Sequence, residues 1–182
     1  MSSSNLIHIV RTIAILVWIY HFLGAARTFS PAKGEHPSPA MYLFVIAITI
    51  LISRLFNSRL ETRLVIPGLI CFVASFVLFE WARRSVRGRY FSYIYSNDTP
   101  EFIWTSGPFA YIRNPFYTSY MLSYIGAAMM FPGLTAILVV VGMILFFFLA
   151  ARLEERKFAR SPLAREYEKY RQQTGRFIPR TH

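Results

Sequence analysis

Cysteine and acidic residues are scarce in this chain of 182 residues. Its single cysteine, Cys71, excludes a disulfide framework and a thiol cluster that would hold a metal. Cys71 lies inside an apolar run, where a small packed side chain is its plain role. Nine Asp and Glu stand against twenty Lys and Arg, leaving a net charge of +11 at neutral pH. Internal repeats and low-complexity tracts are also absent from the sequence. The first apolar stretch lacks the form of a cleaved signal: it is too long, it carries His8, Arg11 and His21, and no small-residue cleavage site follows a short apolar core. It is expected to stay attached.

Apolar and aromatic residues fill the space that charge leaves. Hydrophobic residues make up 54% of the chain and aromatic residues 17%, with a positive mean hydropathy. A nucleic-acid-binding domain needs its basic residues on a soluble surface. Here they flank apolar runs instead, as charges do at membrane edges, which makes membrane lipids the expected partners and excludes nucleic acid. Five runs, 6–26, 39–56, 64–81, 115–132 and 134–151, compare with the ~20 residues a helix needs to cross a bilayer, ~17 at the least. The second is weakened by Arg54, the fourth by Thr118, Ser119, Tyr120, Ser123 and Tyr124. The expected fold is all-α, a polytopic membrane protein with about five transmembrane helices, four being the alternative, and a cytosolic C-terminal amphipathic helix.

Orientation follows from the basic residues. With five crossings, sixteen of the twenty fall on one side: Arg27, Lys33, Arg83, Arg84, Arg87, Arg89, Arg113 and all nine from Arg152 to Arg180. The other side receives Arg54, Arg59 and Arg63, with Arg11 near that face. Positive charge marks the cytoplasmic side, so the amino terminus is expected outside and the carboxyl terminus in the cytoplasm.

Along the chain, 27–38 reads as a linker and 57–63 as a tight turn between antiparallel helices. Segment 83–114 is punctuated by Tyr90, Phe91, Tyr93, Tyr95, Phe102, Trp104, Phe109 and Tyr111, which suits either an interfacial belt or a pocket. Pro132-Gly133 folds the last two runs into a hairpin, which brings Tyr117 and Glu154 back to one membrane face. Ser161-Pro162 signals a capped helix start, and Leu163, Tyr167 and Tyr170 recur on one face of a helix ending before Gly175. That helix fits anionic lipid or a lid over a cytosolic pocket equally well. Two units are expected: the first three apolar helices in 1–82, and a functional core in 83–182.

Residues 107–117 carry the chemistry. Gly107-Pro108 permits a sharp turn, and Asn114-Pro115 starts a helix whose amino terminus favours a carboxylate or phosphate, with Arg113 adding charge. Tyr117, Tyr120 and Tyr124 share one face, suited to lining a pocket or to helix packing. Glu154-Glu155 opposes the dipole at the end of its helix, so a ligand or an arginine is needed to offset it. Pairing with Arg152, Arg156 or Lys157 is the plain alternative. Together the two elements suggest a zwitterionic ligand. His8 and His21 on the first run suit packing better than catalysis.

Gly-Pro-Phe-x-Tyr-Ile-Arg-Asn-Pro-x-Tyr at 107–117, then a helical hairpin, Glu154-Glu155, Glu166-Tyr167-x-x-Tyr170 and Arg176-Phe-Ile-Pro179, resembles the isoprenylcysteine carboxyl methyltransferase and phospholipid methyltransferase superfamily of membrane enzymes. The resemblance spans about residues 83–180. It implies an S-adenosyl-L-methionine-dependent methyltransferase with the donor bound on the cytosolic side. The acceptor it implies is a lipophilic small molecule or prenylated substrate entering from the bilayer. The activity most resembled is isoprenylcysteine carboxyl O-methylation. Methylation of a phospholipid amine or small thiol, and a non-catalytic protein retaining the fold, are the alternatives. By matched position, Glu101, Phe102, Ile103, Trp104, Phe109, Asn114, Pro115, Phe116, Tyr117, Glu154 and Glu155 are the implied cofactor contacts, and Arg113 and Arg152 the candidate catalytic residues. No metal is implied. The chain departs from the family at Asn114, where histidine is usual, at Ala164, where glycine is usual, and at Ala150, where the carboxyl methyltransferases place a substrate-binding arginine.

Overall fold

A computed structural model describes residues 3–30, 39–86, 91–92 and 99–180. Most of the 27–38 link, the basic residues Lys33, Arg87 and Arg89, and Tyr90, Tyr93 and Tyr95 lie outside the described residues. Each of the five apolar runs forms a helix: α1 (Ser3–Thr28), α2 (Pro39–Asn57), α3 (Val65–Ser85), α4 (Pro115–Met130) and α5 (Leu134–Ala159). A sixth helix, α6 (Ala164–Gln173), follows. Two-residue strands β1 (Phe29–Ser30) and β2 (Phe91–Ser92) pair in parallel, Phe29 with Phe91 and Ser30 with Ser92.

Among the described residues, three segments are long and apolar enough to cross a membrane: Asn5–Thr28 and Thr62–Ser85, 24 residues each, and Leu134–Ala159, 26 residues. The fold is all-α, as expected, and these three are among the five helices expected to span. Helix α2 has 19 residues, close to the ~20 a crossing helix needs. Helix α4 covers only ~24 Å at 1.5 Å per residue, less than the ~30 Å hydrocarbon core. It is wrapped by its neighbours instead, and most of its residues are buried.

Polarity is arranged the reverse of a water-soluble bundle. On α3, Ile66, Ile70, Val73 and Val77 are exposed, whereas Val65, Gly68, Phe72, Ser75, Phe79 and Ala82 are buried. The buried set advances by alternating steps of three and four, the spacing of a left-handed helix seam. Small residues let the backbones close up. A Cβ on Gly126 would lie 2.8 Å from the Gly68 carbonyl oxygen, so α3 and α4 touch main chain to main chain there. Interhelical hydrogen bonds add to the seam: Ser75 Oγ donates to Ser119 O at 2.6 Å, and Trp18 Nε1 donates to Ser123 Oγ at 3.3 Å. His21 is fully buried in this seam, 3.3 Å from Ser75 Oγ and against the Phe79 and Tyr120 rings. Its position is that of a packed residue; His8 is exposed.

The bundle has two polar ends. At one, Arg11 Nε donates to Leu55 O at 2.7 Å, Arg54 Nη2 to Pro132 O at 3.0 Å, and Glu61 N to Met130 O at 2.9 Å. At the other, the 107–117 hinge, the last turns of α5, and α6 with its following tail converge.

Candidate active site

The hinge begins in a short 3-10 helix, Gly107–Ala110, with Pro108 near its start. Gly107 has φ 61, the left-handed region that glycine adopts without a Cβ penalty, and a Cβ there would collide with the Ser85 side chain. The turn therefore seats directly against the end of α3. Asn114 caps α4 and Pro115 takes its first position, where a missing N–H costs nothing. The Asn114 side chain makes no capping bond; its Nδ2 donates across to Arg176 O at 3.2 Å.

The hairpin places α5 beside α4 in antiparallel sense. Tyr117 and Phe147 stand equally far from the helix ends at the turn and stack at 5.2 Å with 22° between rings. Tyr120 and Tyr124 also lie against Phe147, at 5.8 and 6.4 Å, so the tyrosine face serves helix packing. Beyond the ring, Tyr117 Oη donates to Glu154 Oε1 at 2.6 Å. The hinge and the glutamate pair are in contact, as the hairpin geometry requires.

The two adjacent glutamates have different partners. Glu155 Oε1 accepts from Arg113 Nε at 3.2 Å and from Arg176 Nε at 3.0 Å, and Glu155 Oε2 accepts from Arg176 Nη2 at 2.7 Å. Arg113 Nη2 completes the ion pair at 3.1 Å. Neither Arg152 nor Arg156 is the offsetting charge: Arg152 is exposed, with its guanidinium 5.8 Å from the Phe148 ring centroid. Arg176 lies over the same ring at 5.0 Å. The Glu155 carboxylate raises the Arg176 pKa further above its ordinary value, so that cation is permanent.

A short segment after α6 lies across the hinge. Gly175 N donates to Tyr111 O at 3.0 Å, Arg113 N to Gly175 O at 2.8 Å, and Asn114 N to Arg176 O at 3.2 Å. Thr118 Oγ1 reaches Phe177 O at 2.9 Å. Arg113 Nη1 donates to Arg171 O at 3.1 Å and to Thr174 O. Helix α6 turns its aromatic face inward: Tyr167 stacks on Phe158 at 4.3 Å, and Tyr170 Oη donates to Phe109 O at 2.7 Å. Burial pushes the Tyr170 hydroxyl up to about 12, and burial followed by the nearby Glu155 charge raises Tyr167 as well. Both remain neutral donors near neutral pH. The α6 apolar face is thus spent on protein. Its start also lies later than Ser161-Pro162 suggests, because Ser161 Oγ accepts from Leu163 N at 3.1 Å in a turn, and the helix opens at Ala164.

The implied contacts separate into three groups. Tyr117 meets Glu154, and Glu155 meets Arg113, on the α5 side. Phe109 and Phe116 pack edge to face at 6.2 Å, and Phe116 turns toward Phe79 and Phe29, into the α1 and α3 side. Phe102 and Trp104 contact one another at 5.5 Å; Ile103 and Trp104 are half-buried and Glu101 is exposed. Ala150 is fully buried, and Ala164 half-buried at the start of α6. Sequence reasoning had no role for Thr118, Arg171 or Thr174. For Arg176 the signal was the Arg-Phe-Ile-Pro stretch, whose partner no local pattern reveals.

No curated protein matches the chain significantly. The family model described as Phospholipid methyltransferase matches residues 62–166, which run from α3 through the hinge and hairpin into the first turn of α6. That match covers more than half of the chain, and the chain belongs to the phospholipid methyltransferase family of integral membrane methyltransferases.

Proposed function

We propose that the protein transfers a methyl group from S-adenosyl-L-methionine to a lipophilic acceptor, at the polar end where α4, α5 and the tail meet. The observation carrying this is the Tyr117 to Glu154 hydrogen bond, which presents a carboxylate and a tyrosine beneath the tail within the matched family region. Those groups fit the donor: a carboxylate suits its ammonium or ribose hydroxyls, and the tyrosine ring and neighbouring aromatics suit a flat heterocycle. When bound, S-adenosyl-L-methionine supplies an activated methyl group for direct displacement. The chain's part is to orient and to exclude water. Glu154 and Tyr117 fix one end of the ligand, and the tail closes the cytosolic face.

The acceptor follows from two supports. The family match favours a phospholipid amine headgroup. The fully buried Ala150 and outward Arg152 leave an isoprenylcysteine carboxylate without the arginine expected at that place. A phospholipid amine is accordingly the first acceptor to test and the prenylcysteine carboxylate the second. The charge distribution supports a cytosolic carboxyl terminus and an external amino terminus, so the donor is drawn from the cytosol. The test supplies labelled methyl donor to membranes containing the protein. Label in a phospholipid amine supports the first acceptor, label in a prenylated fraction the second, and no incorporation into any lipophilic fraction refutes the activity.

A further inference from the structure

Two adjacent glutamates at a ligand site invite the assumption that both touch the ligand. Hydrogen-bond capacity separates them. Four guanidinium nitrogens face the Glu155 carboxylate, Arg113 Nε, Arg113 Nη2 and Arg176 Nε at Oε1 and Arg176 Nη2 at Oε2, so both of its oxygens are engaged by protein. These partners are distant in sequence. Arg113 belongs to the hinge before α4, Glu155 to the end of α5, and Arg176 to the segment after α6. Side-chain exposure is 9% for Arg113 and 11% for Glu155, so the pair is largely withdrawn from solvent.

The same three elements are joined by main-chain bonds. Ile112 and Gly175 form a parallel bridge, flanked by the Gly175 N to Tyr111 O and Arg113 N to Gly175 O bonds. A Cβ on Gly175 would collide with the Ile178 carbonyl oxygen, so the tail turns back tightly where it crosses the hinge. Asn114 contributes its side-chain amide to Arg176 O, a bond the neutral amide makes at any ordinary pH. The departure from histidine at 114 thus has a role in holding the tail.

We propose that Glu155 is a positioning residue rather than a ligand contact: by holding Arg113 and Arg176 together it locks the 174–177 segment across the hinge and fixes where Glu154 and Tyr117 present themselves. Arg113 and Arg176 act in the same clamp. The inference rests on the donor-site reading only for its effect on affinity. The locking of the tail stands on the contacts themselves.

The full chain in detergent micelles is compared as wild type, Glu155→Gln and Arg176→Lys, with two readouts. Hydrogen exchange of the peptides covering 111–114 and 174–177, measured without donor, reads the clamp directly. Initial rates against S-adenosyl-L-methionine concentration read its consequence. For Glu155→Gln the expected result is faster exchange in both peptides. Its KM for the donor rises by about tenfold to a hundredfold, the range in which supporting residues act, while kcat stays within about twofold. Arg176→Lys, which keeps the charge but loses the fork, falls between it and wild type. Unchanged exchange in Glu155→Gln overturns the clamp. Faster exchange with unchanged KM overturns the positioning role, as does a fall in kcat at unchanged KM. If the wild type uses no donor, the reading of the site fails, and exchange alone decides the clamp: lost protection upholds it and retained protection refutes it.

Discussion

Glu80 and Glu155 each sit between two guanidinium groups, yet they are built in opposite ways. Glu80 meets Arg83 at 2.8 Å and Arg84 at 2.5 Å, three and four residues along the same helix, and also accepts from Tyr20 of α1. Glu155 draws its arginines from two other elements of the fold. The Glu80 cluster forms wherever α3 forms, because i,i+3 and i,i+4 side chains share a face. The Glu155 cluster exists only once the hinge, α5 and the tail have come together. It therefore reports on, and holds, the assembled end of the molecule.

Exposure singles out Arg84 alone: its side chain is 65% exposed, so its ion pair competes with solvent and headgroups, whereas Glu80 at 14% and Arg83 at 30% are as sheltered as Glu155 at 11% and Arg176 at 28%. Exposed ion pairs contribute ~0–1 kcal/mol, whereas removing one partner of a buried pair costs ~3–5 kcal/mol because an uncompensated charge remains.

The largest expected effect is therefore Glu155→Ala, which strands Arg113 and Arg176. It should lower stability by ~3–5 kcal/mol, read as a fall in the thermal unfolding midpoint in detergent. Next comes Tyr117→Phe, which removes the hydrogen bond to Glu154, a bond worth ~0.5–1.5 kcal/mol. Its effect should appear as weaker S-adenosyl-L-methionine binding in calorimetry, with the fold retained by circular dichroism. Arg84→Ala, which removes only the exposed arm of the Glu80 cluster, should shift the same thermal midpoint by the equivalent of ~1 kcal/mol or less. A shift as large as that of Glu155→Ala would remove the distinction between the clusters.

The smallest effect concerns pH. Folding raises the Tyr170 pKa to about 12 from an ordinary 10.0 through burial, so the folded state binds this proton more tightly than the unfolded one. The resulting stability is fully present below pH ~10 and is lost as pH rises through ~12. Tyr170→Phe should flatten that part of the stability profile, measured by denaturant midpoints between those values.

Much of the architecture was legible in the sequence for local reasons. Apolar runs bounded by Pro, Gly and Arg predict α1 to α5 because helix length and hydropathy are properties of contiguous residues. The contact between Tyr117 and Glu154 followed from one turn, Pro132-Gly133, since two antiparallel helices must return to the same end. Other features needed the third dimension. Phe116 and Tyr117 are neighbours in the matched motif, yet one helical step directs Phe116 to the α1 and α3 side and Tyr117 to α5. The limited span of α4 was concealed because its serines and tyrosines look like weak hydrophobicity, when they are an inward face covered by neighbouring helices. The Arg176 partnership was invisible because tail and hinge are far apart in sequence and meet through main-chain bonds, which leave no residue pattern. Glu80 had a signal, its spacing to Arg83 and Arg84, that passed unused.

The central claim is that two adjacent carboxylates have separate work, Glu154 touching the methyl donor and Glu155 holding the chain around it. Calorimetric titration of the full-length protein with S-adenosyl-L-methionine, as wild type and Glu154→Gln, tests it most directly. The account predicts saturable binding by the wild type and its loss or marked weakening in Glu154→Gln. Absence of wild-type binding at millimolar donor, or equal affinity in the two proteins, would contradict it.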